Sequence, residues 1–157
     1  MASVGVKGGD KAKKVLADIA KKVAAGKHVE MGFFETATYE DKEHTPVAQV
    51  AYWNEYGTPA AVHPSPPRPF FRQTIAKRSS AWGTNLGTAL KMTNYDKDKS
   101  LRLVGENMQD NLVTSIEEFK NPGNAPSTIE RKGFDDPLND TGTMKRSVAY
   151  NVIDESA

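Results

Sequence analysis

Five prolines fall between Pro59 and Pro69, near the middle of the chain. Each lacks a backbone N–H and fixes φ, so this stretch can be neither a helix nor a central strand. It reads as a stiff, exposed arm over residues 58–69. Any fold must therefore be built from the segments on either side of it. Directly before the arm stands AYWNEYG, and directly after it FFRQTI.

The N-terminal side opens with a glycine-containing lead, residues 1–9, read as flexible. Asp10 to Ala25 is predicted to be a helix, with Ala12, Val15, Leu16, Ile19 and Val23 at helical spacing, Asp10 as N-cap and Gly26 just past its end. Lys11, Lys13, Lys14, Lys21 and Lys22 cover its other faces, either as a solvated surface or as one that meets DNA or an acidic partner. His28 to Phe34 alternates apolar and polar residues and predicts a half-buried strand. Thr36 to Glu43 reads as a loop. Thr45 and Pro46 are expected to cap and open a short helix that Gly57 stops. That helix carries Tyr52, Trp53 and Tyr56 on its last turns.

Beyond the arm, Phe70 to Lys91 is predicted helical, with Phe71, Ile75, Trp82, Leu86 and Ala89 as its buried stripe. Gly83 and Gly87, four residues apart, would let another backbone come close. Asn94 to Lys99 reads as a linker. The strongest helical pattern follows: Leu101, Val104, Met108, Leu112, Ile116 and Phe119, capped by Asp98 or Ser100 and ended by Asn121-Pro122-Gly123. Asn121 to Thr143 is polar, rich in turn formers and without periodicity, so it reads as a long loop. Met144 to Ile153, with Val148, Tyr150 and Val152 on one face, reads as a C-terminal strand entered through one helical turn at Thr143 to Ser147. The predicted class is α+β: one domain with a small antiparallel sheet packed against two or three helices, a proline-rich arm and a long C-terminal loop.

Composition narrows the function. The chain has 157 residues, 38% of them hydrophobic, and a mean hydropathy of −0.60. That implies a modest core with long exposed segments, or a subunit completed by its neighbours. The net charge of +1 does not indicate a bulk nucleic-acid binder. There is no cysteine, hence no disulfide or thiolate metal site. No secretory leader and no apolar run of spanning length is read from the sequence. His28, His44 and His63 are scattered, and no nucleophile elbow or phosphate loop is present. Asp135-Asp136 reads as a turn beside Pro137. No catalytic, cofactor-binding or metal-ligating residue is expected.

Two blocks, VAQVAYWNEYGTP with PPRPFFRQTI and NAPSTIERKG with DPLNDTGTMKRSV, carry a resemblance. Asn54, Glu55, Gly57, Thr58, Arg68, Pro69 and Phe70 mark the first. Ser127, Thr128, Ile129, Lys132, Gly133, Pro137, Leu138, Asp140, Thr141, Gly142, Met144 and Ser147 mark the second. In order and spacing they resemble the small head–tail joining and tail-completion proteins of the neck of long-tailed double-stranded DNA phages. The blocks cover about a third of the chain. The resemblance implies an α+β subunit of a homo-oligomeric ring, expected to be hexameric, with no enzymatic activity and no cofactor. It implies a place in the virion after assembly in the host cytoplasm. Its partners would be adjacent neck, connector and tail-tube proteins, with packaged DNA in the lumen and no membrane. Tail terminator and head-closure protein are the rival roles within the neck. An adaptor binding through its proline-rich arm is the rival outside it.

In a ring, the expected contact residues are Tyr52, Trp53, Tyr56, Arg68, Phe70, Phe71, Arg72, Ile129, Arg131, Lys132, Leu138 and Met144. Arginines and aromatics are chosen because they dominate interface energetics. Phe70 and Phe71 have a second reading, as caps on the chain's own core. Glu55 is expected to pair with Arg68 and fix the turn between them.

Overall fold

A computed structural model describes residues 9–24 and 26–155. Among these are six helices and one two-stranded sheet: α1 (Gly9–Val23), β1 (Lys27–Phe33), α2 (Val47–Tyr56), α3 (Phe70–Met92), α4 (Lys97–Glu118), α5 (Pro126–Lys132), α6 (Thr143–Arg146) and β2 (Val148–Asp154). The fold is α+β, as the periodicities predict. Most of the expected lead, residues 1–8, and the expected helix end at Ala25 lie outside the described residues. Gly9 and Asp10 already belong to the first turn of α1.

Helix α4 is the axis. It packs against α3 and against both strands. The strands pair antiparallel, with Val29 opposite Val152, Met31 opposite Tyr150 and Phe33 opposite Val148. The core joins Val47 and Ala51 of α2, Phe70 of α3, Leu112 and Ile116 of α4, Phe119, Leu138, Met144 and Val148. Leu112 and Ile116 are 0% exposed. Gly105 of α4 is buried where Tyr150 crosses the helix, and a methyl group there would overlap the tyrosine ring. The lack of a side chain sets how closely the strand approaches α4.

Several element boundaries differ from expectation for local reasons. Asp96 caps α4, in place of Asp98 or Ser100, and its side chain accepts from Lys99 N at 3.0 Å. Asn94 and Tyr95 adopt left-handed backbone (φ 55° and 62°), so the α3–α4 connection is a tight turn and α4 starts early. Pro46 itself occupies the cap position of α2, with no side-chain cap bond from Thr45. On α3 the buried stripe is Phe70, Thr74, Trp82 and Ala89, while Ile75 is 42% exposed. Thr74 tolerates burial because its hydroxyl donates to Phe70 O at 2.7 Å. Gly83 and Gly87 face open space, with nothing within 4 Å of where a side chain would start.

The largest correction concerns residues 121–143. This segment is an ordered unit containing α5, with Gly133 as its left-handed C-cap (φ 81°). Pro137 and Leu138 are buried. The segment lacks an apolar period because polar contacts hold it. Asp135 Oδ1 accepts from Asn124 N at 2.9 Å, and Lys132 Nζ donates to Asp136 O at 2.7 Å and Asn139 O at 2.5 Å.

Candidate interaction surface

The junction of α2, the proline segment and α3 is organised by a carboxylate and a guanidinium that do not bond each other. Glu55, 5% exposed, stands at the end of α2. Its Oε2 accepts from Phe71 N at 2.9 Å, and its Oε1 from Arg72 N at 3.1 Å and Arg72 Nε at 2.7 Å. A side chain of one helix thereby caps the N-terminus of the next, satisfying donors that α3 leaves open and placing negative charge at its positive end. The expected Glu55–Arg68 pair is replaced by Glu55–Arg72.

Arg68 turns the other way. Its Nη1 donates to Asn54 Oδ1 at 3.3 Å, its Nε to Pro122 O at 3.3 Å and its Nη2 to Gly123 O at 3.2 Å. Arg68 N donates to Asn54 O at 2.7 Å. One arginine therefore ties α2 to the segment after α4. Burial lowers its pKa from the ordinary value, opposed by Asp135. Burial also lowers that of Lys132, opposed by Asp140 and Asp136.

The proline segment is closed at its base. Thr58 N donates to Ser65 O at 3.0 Å, and Ser65 N to Thr58 Oγ1 at 3.0 Å. Gly57 is required there: its φ is 76°, and a Cβ would lie 2.7 Å from Ser65 O. The result is a pinched loop whose tip carries Val62, 91% exposed.

The expected contact residues divide in two. Tyr52, Trp53 and Tyr56 are 61%, 41% and 49% exposed on the outer face of α2. The Tyr52 and Tyr56 rings lie tilted against each other at 41°, centroids 4.7 Å apart, and the Arg72 guanidinium lies 4.7 Å from the centre of Tyr56. Phe71 is half-buried beside them, and Arg131 is exposed on α5. Ile129 and Lys132 are half-buried. By contrast Arg68, Phe70, Leu138 and Met144 are 7%, 1%, 6% and 3% exposed. Those four belong to the interior of the chain, so they are corrected from contact surface to framework. Phe70 fills the core, as its second reading had it.

A groove of about 250 Å³ opens beside the α2 aromatics, lined by Phe33, Ala48, Tyr52, Tyr56, Phe71 and Arg72 among others. It is mainly apolar and open to solvent. The sequence pattern missed it because Phe33 and Ala48 come from elements that meet only in the fold. A larger, more polar groove of about 840 Å³ runs between the proline segment and α5, over Arg68, Arg131 and Lys132. Among the described residues no group of three or more His, Asp or Glu could hold a metal ion. Among them, too, no helix is long and apolar enough to cross a membrane. Comparison of the chain with protein-family models, with curated proteins and with solved structures finds no match in any of the three.

Proposed function

We propose that this chain is a structural subunit of the neck of a long-tailed double-stranded DNA phage. It joins the DNA-filled head to the tail, in tail completion or head–tail connection, as a ring of identical copies. Its work is assembly, with no chemical step. The observation that carries this reading is the convergence of the two sequence blocks that resemble neck proteins. Arg68 of the first block, held by Asn54 Oδ1 of the same block, donates to Pro122 O and Gly123 O, the carbonyls that lead into the second. Trp53 and Asn54 share a surface depression with Lys132, Pro137, Leu138 and the 140–144 turn. Blocks separated by some 50 residues thus form one joint. A joint of that kind fixes the angle between the α2 aromatic face and α5, both of which point outward.

A ring needs two different patches on each copy, so that one copy's first patch meets the next copy's second. The exposed aromatics of α2 supply surface of the composition that dominates such contacts. The experiment removes the chain's gene from the phage that encodes it and examines the lysate by electron microscopy. DNA-filled heads separate from full-length tails are expected. Tails of uncontrolled length would move the chain to the tail-terminator role. Intact infectious particles would overturn the reading.

A further inference from the structure

The 40 residues from Tyr56 to Tyr95 contain no aspartate or glutamate, in a chain where about one residue in eight is acidic (20 of 157). The same run holds five cations: Arg68, Arg72, Lys77, Arg78 and Lys91. Arg68 and Arg72 are engaged inside the fold, by carbonyls and by Glu55. Lys77, Arg78 and Lys91 are exposed on α3, and their side chains make no hydrogen bond or ion pair among the described residues. One carboxylate comes near: Glu118 of α4 shares a depression of about 100 Å³ with Lys77 and Arg78 and pairs with neither.

Gln73, Lys77, Ser80, Thr84, Thr88 and Lys91 recur at helical spacing on the side of α3 away from buried Thr74, Trp82 and Ala89. All six are exposed. Thr84 and Thr88 Oγ1 donate back to Ser80 O and Thr84 O, both at 3.2 Å, so no other element uses these hydroxyls. Gly83 and Gly87 beside the row face open space. From Lys77 to Lys91 the helix rises about 21 Å. Composition decides what fits this face. A protein partner is ordinarily anchored by aromatic, Met or Arg side chains, and Lys, Ser and Ala are scarce in such contacts. A lipid surface needs an apolar face, which this row lacks. Ammonium, hydroxyl and amide donors with no carboxylate among them suit the phosphate oxygens of a nucleic-acid backbone.

We infer that this face of α3 seats the phosphate backbone of double-stranded DNA without reading its sequence. Duplex DNA carries one charge per about 1.7 Å of axis, so about a dozen phosphate charges lie along the length between Lys77 and Lys91. Three free cations with a net charge of +1 on the whole chain make the contact weak for a single copy. Many copies on one duplex make it firm. The contact stands on α3 itself, and the ring reading adds only that α3 faces the lumen.

The test titrates the full-length chain into a fluorescent duplex of about 30 base pairs and reads anisotropy from about 50 to about 200 mM salt. The wild-type chain is expected to bind with a dissociation constant of about 10⁻⁴ M at the lowest salt. Lys77→Ala/Arg78→Ala/Lys91→Ala should weaken binding by about tenfold or more and lower the slope of log affinity against log salt by about 3. Thr84→Glu keeps all three cations, sets a carboxylate among them, and should also weaken binding by about tenfold. Both variants change exposed side chains, so thermal unfolding should show them folded. Lys13→Ala/Lys14→Ala on α1 should leave affinity and slope nearly unchanged. Four results would overturn the inference. The first is no duplex binding at the lowest salt. The second is a slope unchanged by the triple substitution on α3. The third is a loss carried by the α1 variant instead. The fourth is polyglutamate displacing the duplex at equal charge concentration, which would make the face a seat for acidic protein. Heads and tails can join without this contact, so the neck reading stands or falls separately, on particles lacking the chain.

Discussion

Helices α1 and α4 carry the same sequence signal and reach opposite environments. Both repeat an apolar residue every three or four positions. In α4 the stripe is sealed: Leu112 and Ile116 are 0% exposed. In α1 the equivalent Leu16 is 64% exposed. The difference lies in what the chain brings back. Helix α4 receives α3 on one side and the β1–β2 sheet on the other. Nothing in the described chain returns over α1. Periodicity specifies which face of a helix is apolar, and topology decides whether the same molecule covers it.

Truncation in the two stripes should separate most sharply. Leu112→Ala leaves a cavity in the centre of the core and is expected to cost about 2–5 kcal/mol in denaturant unfolding. In dilute solution Leu16→Ala should change stability by less than about 0.5 kcal/mol. A comparable loss at Leu16 would mean that α1 packs within its own chain. The helix junction comes next. Glu55→Ala removes the cap of α3 and strands Phe71 N and Arg72 N, an expected loss of about 2 kcal/mol. Two glycines then contrast buried and open helix surface. Gly105→Ala pushes a methyl into Tyr150 and should destabilise by about 1–3 kcal/mol. Gly83→Ala meets nothing and should stabilise by up to about 1 kcal/mol. Thermal unfolding of the two variants should therefore shift in opposite directions.

The smallest expected effect is on pH dependence at the start of α4. The Lys99 backbone N–H holds the Asp96 carboxyl below its ordinary value. A carboxyl whose pKa is lower folded than unfolded stabilises the fold above the unfolded value, near 4. That contribution is lost as pH falls through the folded value. Asp96→Asn should flatten the acid limb of the stability profile below about pH 4 and leave neutral pH nearly unchanged. An unaltered acid limb would remove Asp96 from the account of how α4 begins.

The legible parts of this fold were those set by local rules. Gly57 ending α2, the α4 stripe and the turn before β2 all follow from spacing and backbone chemistry within a few residues. The strand pairing of Val29 to Phe33 with Val148 to Val152 was visible as two alternating segments. What escaped the sequence involved choices between neighbours. Phe70 and Phe71 are adjacent aromatics, and which one enters the core depends on whether Thr74 is tolerated inside. Glu55 had two arginines within reach in sequence, Arg68 and Arg72. The cap of α3 needs a carboxylate, whereas Arg68 is drawn to the carbonyls of Pro122 and Gly123. Residues 121–143 looked like a loop because side-chain-to-backbone bonds leave no apolar period. Gly105 drew no notice because its partner, Tyr150, lies 45 residues away.

The central claim is that this chain completes a junction between head and tail. It is tested most directly by complementation in vitro. Purified wild-type chain is added to a lysate of the phage that lacks its gene, and infectious particles are counted. The account predicts that infectivity returns as the chain is titrated in, with heads and tails joined in the micrographs. Heads and tails that stay apart at every concentration of folded chain would contradict it.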